Sequence, residues 1–337
     1  MNKKVLLTGI SGYIGNQCAV ELLKNGYFVL GSVRSLSKKE KVIEAIKKEI
    51  DPTDNLEFCV LNLLEDTGWD KAMEGCEFVL HVASPFINIE PKDESEYIKP
   101  AVEGTMRALK AAKKAGVKRV VLTSSIVAML KDADESININ YNSWTNVSAK
   151  NVSAYARSKT LAEKSAWDFI KNQNDEKIME LSVINPGPVF GPTISGNMQG
   201  ASMGMIKKMI IGKIPMLPKF SISMSDVRDV AKIHVMALEN INANGKRFIV
   251  TTEKPYSFKE LAQILKSNGY NKVSTKLAPN FLLKFISNFD REIRSMRAFI
   301  GKTYNGDVSS TMKTFNWKPI SFEKTVLDTA KSIESLI

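Results

Sequence analysis

Apolar residues recur in short runs through the first half of the chain, each followed by a stretch with the three-to-four-residue spacing of a helix. Lys4 to Thr8 (KVLLT) is the first run, followed by a glycine-containing turn and a helix pattern from Tyr13 to Lys24. Tyr27 to Val33 (YFVLGSV), Leu56 to Leu61 (LEFCVL), Phe78 to Val82 (FVLHV), Arg119 to Thr123 (RVVLT) and Leu181 to Ile184 (LSVI) repeat the pattern. Between them fall a charged helix over Lys38 to Ile50, a helix from Glu94 to Ala115 and a helix that carries SAYARSK. Short runs apolar on both faces and separated by helices predict an α/β fold, a doubly wound parallel sheet covered on both sides.

After Asn185-Pro-Gly-Pro the pattern turns helix-rich, with helices expected over Tyr256 to Gly269, Asn280 to Ile300 and Ser321 to Ile337. Arg247 to Thr251 (RFIVT) is one of few strand candidates there. The expected organisation is a dinucleotide-binding domain over residues 1–185, to which 225–251 return. Residues 186–224 and 252–337 would form a smaller, helix-rich C-terminal substrate lobe.

Composition narrows the class. The chain has 337 residues, 44% hydrophobic and 25% charged, enough for a sizeable core in a water-facing protein. The N-terminal apolar stretch is too short for a signal peptide. No run approaches the roughly 18 residues that span a bilayer. Cys18, Cys59 and Cys76 lack metal-ligand spacing, which fits a reduced, cytoplasmic protein without a metal. The net charge of +11 raises nucleic acid as a partner. Yet the lysines alternate with acids, as in KKEKVIEAIKKEI, the pattern of a solvated helix face. Neither nucleic acid nor a membrane is expected as a partner, and the excess positive charge suits an anionic cofactor.

TGISGYIG, Thr8 to Gly15, follows the first strand and opens a helix. Gly9, Gly12 and Gly15 let the backbone turn sharply and approach a pyrophosphate, which then meets the unpaired N–H groups of the helix N-terminus. This placement makes the sheet Rossmann-type. An NAD site usually carries an acid at the end of the second strand to hold the ribose 2′-hydroxyl. Here no acid occurs between Glu21 and Glu40, and Arg34 stands at that place with Lys41 beyond it. A guanidinium fork suits a 2′-phosphate, so NADPH is the expected cofactor.

Tyr155 and Lys159 lie four residues apart in a helical stretch and so share a face. In a chain this rich in lysine, about one such spacing arises by chance, so the pair needs support from elsewhere. A tyrosine with pKa near 10 exchanges protons poorly at neutral pH. A neighbouring ammonium is expected to lower that pKa and make a general acid for a carbonyl oxygen. A hydroxyl to bind the same oxygen is available where LTSSI ends the fifth strand, at Ser124 and Ser125.

Together these segments resemble an extended short-chain dehydrogenase/reductase. The chain is most similar to the branch of dihydroflavonol reductases, cinnamoyl-CoA reductases and yeast-type aldehyde or methylglyoxal reductases. The resemblance rests on TGISGYIG, VRSLSKKEKV, GCEFVLHVASP, RVVLTSS, YARSK, INPGPVFGP, SDVRDVAKIHVMAL and the late FNWKP. It implies Ser125 as the group that polarises the carbonyl, Tyr155 as proton donor, and Lys159 as the residue that tunes Tyr155 and holds the nicotinamide ribose. It further implies Gly9, Gly12, Tyr13, Ile14 and Gly15 at the pyrophosphate, Arg34 and Lys41 at the 2′-phosphate, and Val82, Ala83 and Ser84 along the cofactor. Pro186 is implied near the nicotinamide. Asn62-Leu63 replaces the family's Asp-Leu, so a weaker contact to the adenine amino group is expected at Asn62.

The expected activity is NADPH-dependent reduction of a small-molecule carbonyl by a monomer or homodimer. A nucleotide-sugar epimerase or dehydratase that retains NAD, and a non-catalytic NADPH-binding sensor, are the alternatives. His81 and His234 read as packing residues. Met198, Met203, Met205, Met209 and Met216 suit either an adaptable apolar pocket or a helix core; the pocket would favour apolar or aromatic substrates.

Overall fold

The computed structural model describes residues 2–336 except 53, 86–90, 92, 131–136, 151, 175–177, 197–199, 291, 292 and 295. The first half alternates as the pattern predicts: β1 (Lys4–Thr8), α1 (Tyr13–Lys24), β2 (Phe28–Val33), α2 (Lys39–Lys47), β3 (Leu56–Val60), α3 (Trp69–Met73), β4 (Phe78–His81), α4 (Ser95–Lys114) and β5 (Arg119–Thr123). Then come β6 (Ile137–Ile139), α5 (Ala154–Lys171), β7 (Glu180–Pro186), β8 (Val189–Phe190), α6 (Ala201–Ile210), β9 (Ser221–Ile222), β10 (Ser225–Asp226), α7 (Val227–Glu239) and β11 (Lys246–Val250). The chain closes with β12 (Tyr256–Ser257), α8 (Phe258–Ser267), α9 (Asn280–Ile286), β13 (Thr303–Gly306) and helices over Ser309–Phe315 and Phe322–Glu334.

Seven strands form one sheet in the order β11-β7-β5-β4-β1-β2-β3, with every neighbouring pair parallel. Successive side chains of a strand point to opposite faces, and the two cores show it. Val5 and Leu7 of β1, with Phe78 and Leu80 of β4, join α1 and α7 in one core. Leu6 and Val79 join α3, α4 and α5 in the other. The order reverses between β1 and β4, which opens a crevice at their C-terminal ends, the usual place for a ligand in such sheets.

The later segments contain more strand than the helix-rich pattern suggests. A second sheet, β12-β9-β13-β6, is assembled from pieces of two to four residues, and β8 pairs with β10. Pieces that short carry no readable alternation. β6 comes from within the first 185 residues yet pairs with β13. The helix expected from Asn280 to Ile300 ends at Ile286, where the Arg294 side chain takes the carbonyls of Ser287 and Asn288. The one expected from Tyr256 begins at Phe258, because Ser257 and Glu260 form a reciprocal capping box.

The motifs SDVRDV and FNWKP meet in space. Asp229 of α7 accepts from the Trp317 indole and from the Ile320 amide, each at 2.8 Å. Arg228 beside it pairs with Asp226 and with Asp328 of the last helix. Among the described residues no helix is long and apolar enough to cross a membrane.

Candidate active site

Around the turn after β1, Gly9 and Gly15 leave no room for a side chain. A Cβ on Gly15 would stand 2.1 Å from the Gly9 carbonyl oxygen, and one on Gly9 would stand 3.0 Å from the Ala83 Cα. Gly9 has φ of +72°, which favours glycine. α1 starts at Gly12 with no side-chain cap and no acid in its first turn, so its leading N–H groups and dipole are directed at the crevice. The Tyr13 side chain does not point there: its hydroxyl donates to the Gly191 carbonyl at 2.7 Å, and Ile14 packs on the core. Both would therefore serve a pyrophosphate through the backbone.

Thr8 ties the turn to the strand beside it. Its hydroxyl bonds His81 Nδ1 at 3.0 Å and accepts from the Ala83 amide at 3.0 Å, which fixes the course of Val82, Ala83 and Ser84 past Gly9. At the end of β2, Arg34 and Lys41 are both exposed, and neither forms an ion pair with a described residue. Asn62 holds its own turn: its amide oxygen accepts from Leu64 N at 3.1 Å and its amide nitrogen donates to Glu65 at 2.6 Å. A carbonyl oxygen has two lone pairs, so one acceptor position on Asn62 is left for an adenine amino group. Leu63 packs against Gly104.

The three residues singled out for chemistry converge at the C-terminal end of β5. Ser125 directly follows that strand's last turn of backbone and caps the short helix Ile126–Met129. Its hydroxyl lies 3.5 Å from the Pro186 carbonyl and hydrogen-bonds Tyr155. α5, capped by Ser153, presents Tyr155 and Lys159 on successive turns. Lys159 is buried, with Nζ donating to the Thr123 carbonyl at 3.2 Å. Tyr97 of α4 meets the Tyr155 ring edge-on at 6.2 Å between centroids.

The electrostatics correct one expectation. Lys159 was expected to lower the Tyr155 pKa, but burial dominates and pushes the phenol up to about 12, with the Ser125 hydrogen bond opposing and Tyr97 adding to the rise. Burial pushes Lys159 down to about 8, and the nearby Glu163 carboxylate opposes that fall. At neutral pH the phenol thus keeps its proton and the lysine remains largely cationic.

Several residues around the site were not singled out by sequence reasoning. Glu163, fully buried on the next turn of α5, accepts from the Ser124 hydroxyl at 2.5 Å and from Asn185 at 2.9 Å, and pairs with Arg247 at 2.5 Å. A Lys-x-x-x-Glu step in line with Tyr155 was the available signal. His234 bonds Thr123 at 2.6 Å and the Val230 carbonyl at 2.7 Å. Both histidines are buried, and burial pushes His81 down to about 3 and His234 to about 4, so they stay neutral. Burial also raises all three thiols, Cys59 to about 11, which makes them poor nucleophiles. Met203 and Met209 belong to the core with Met205 packed on it, and Met216 is exposed. Met203, Met205 and Met209 take the helix-core role and Met216 takes neither; Met198 lies outside the described residues.

Comparison with known proteins places this geometry. Residues 5–250 match the family model described as the NAD dependent epimerase/dehydratase family. The chain belongs to that family. A cinnamoyl-CoA reductase of Medicago truncatula is 34% identical over 268 residues, covering 78% of this chain and 79% of that protein. The NADPH-dependent methylglyoxal reductase of Saccharomyces cerevisiae is 32% identical over 283 residues, 78% and 82% of the two chains. The crystal structure of yeast methylglyoxal/isovaleraldehyde reductase complexed with NADPH superposes with a TM-score of 0.78 at 27% identity, covering 99% of this chain and 98% of that one. The kinship expected from the motifs is therefore with this family's reductases.

Proposed function

We propose that the chain is an NADPH-dependent carbonyl reductase that converts an aldehyde or ketone to an alcohol with Tyr155 as the proton donor. The observation that carries this reading is the placement of Tyr155, hydrogen-bonded to Ser125 and one helical turn from the buried Lys159 at the end of β5.

The residues fit the cofactor. The backbone cradle at Gly9, Gly12 and Gly15 matches a pyrophosphate. Arg34 with Lys41, exposed and without an ion pair among the described residues, offers two cations to a 2′-phosphate where β2 ends without an acid. NADPH also appears in the names of related reductases. When bound, it supplies a hydride to the carbonyl carbon. Ser125 Oγ donates to the carbonyl oxygen and fixes its position. Tyr155 transfers its phenolic proton to that oxygen as negative charge develops there, and the Lys159 ammonium stabilises the phenolate left behind. Residues 186–224 and 252–337 are assigned to the substrate side, and small-molecule aldehydes and ketones are the proposed class.

The test follows NADPH absorbance with purified protein against aromatic and aliphatic aldehydes, ketones and diketones, with isovaleraldehyde and methylglyoxal included. Oxidation with a ranked preference is expected. Tyr155→Phe should lower turnover by about 100-fold or more with NADPH affinity retained. An undiminished rate removes the proton donor, and NAD retained through purification without NADPH oxidation would favour an epimerase.

A further inference from the structure

Glu163 is fully buried, and its two carboxylate oxygens reach three strand ends at once. Oε2 accepts from Ser124 at the end of β5 and from Asn185 in β7, while Oε1 pairs with Arg247 of β11 and lies 3.3 Å from the Trp167 indole. Asn185 also donates to the Ser125 carbonyl at 3.3 Å, so the network holds both Ser124 and the backbone of Ser125 itself. Arg247 is itself enclosed, stacked 3.7 Å above the Trp144 ring and donating to the Tyr141 and Ser143 carbonyls.

Stability alone does not account for this arrangement. A buried ion pair gains little over well-packed apolar residues. Among the described residues Asn185 Oδ1 and Arg247 Nη2 are also buried without a hydrogen-bond partner, which adds a desolvation cost. Such a cost is tolerated where geometry matters more than net stability.

We infer that Glu163, held by Arg247, is the positioning residue that sets Ser125 against Tyr155 and keeps Lys159 cationic during carbonyl reduction. The inference rests on the reductase reading. Tyr155, Lys159 and Glu163 occupy successive turns of α5, so the carboxylate fixes the helix face that carries the proton donor to the strand ends that carry the serine. Its negative charge acts on Lys159 from the same helix. The groups facing that ammonium from elsewhere are neutral His81 from β4 and the Thr123 carbonyl from β5, and Arg247 faces Glu163 from β11. Glu163 is therefore the anion that supports the lysine's charge.

The test compares Glu163→Gln, Glu163→Asp and Ser124→Ala with the unaltered full chain in NADPH-dependent carbonyl reduction across pH. Glu163→Gln should lower kcat by roughly tenfold or more, leave the KM for NADPH within about twofold, and move the alkaline limb of kcat/KM down by about half a pH unit. Glu163→Asp keeps the charge, so its limb should stay in place while kcat falls. Ser124→Ala removes one anchor and should lower kcat by about fivefold with the limb unmoved. A Glu163→Gln enzyme with wild-type kcat and pH profile, or a loss that appears only as lower thermal stability, overturns the inference. If Glu163→Gln does not fold, wild-type kcat in both Glu163→Asp and Ser124→Ala overturns it instead. The Lys159 Cε resonance of isotope-labelled protein, titrated in wild type and Glu163→Gln, reads the charge effect without turnover. A shifted titration in a protein that reduces no carbonyl would retire the reductase reading and leave the electrostatic link standing; an unshifted one overturns the link.

Discussion

At Lys159 two effects oppose each other: enclosure pushes the ammonium down to about 8, and Glu163 one turn away pushes it up. The proposed chemistry needs the charged form, so the sign of the pH dependence follows. As pH rises through about 8 the ammonium is lost, and kcat/KM for reduction should fall about tenfold per pH unit on that limb. Tyr155, pushed up to about 12, contributes no limb below pH 10. A pH–rate profile checks this, and one that stays flat through pH 9 would contradict the role given to Lys159. The sequence located Tyr155 and Lys159 by spacing and offered Ser124 and Ser125 at the strand end, with Ser125 preferred by the family resemblance. The sign of the phenol's shift was not legible. Spacing reports an ammonium one turn away; only the enclosed surroundings show that desolvation outweighs it.

The strand–turn–helix from β1 to α1 was readable nearly to the residue, because glycine requirements and apolar runs are local signals. Lys4–Thr8 and Tyr13–Lys24 are the bounds expected from the pattern. The small sheet of β6, β9, β12 and β13 was not readable, since its pieces are held by partners far away in sequence. The glycine turn yields its own prediction. Gly15→Ala puts a Cβ 2.1 Å from the Gly9 oxygen and 2.9 Å from its carbonyl carbon, backbone atoms that cannot move aside without displacing the helix. NADPH affinity should drop by about tenfold or more, a loss of at least ~1.4 kcal/mol, in a fluorescence titration. An unchanged dissociation constant would show that the turn does not hold the dinucleotide.

Across the whole molecule, the last segment is fastened to α7 by the Asp229 carboxylate and by the Arg228–Asp328 pair. Asp229 satisfies the Trp317 indole and the Ile320 amide, and burial raises its pKa to about 6 despite those two donors. Asp229→Ala leaves both donors without their acceptor and should lower unfolding free energy by about 2–4 kcal/mol, seen as a lower denaturant midpoint. A midpoint equal to wild type would mean that the Arg228–Asp328 pair and the packing of Trp317 and Phe315 secure the C-terminal helices without Asp229.

The sequence by itself determined the parallel sheet, the glycine turn after β1, the basic end of β2 and the Tyr155–Lys159 spacing. Each is written in residues close together in the chain, where periodicity, glycine and local charge act directly. The tertiary structure alone decided that Glu163, Asn185 and Arg247 meet behind the reactive serine, that Thr8 and His81 brace the Ala83 segment, and that Asp229 receives Trp317. Those contacts join elements adjacent in space but up to 88 residues apart in sequence. Their energies depend on burial, which appears only when the layers close.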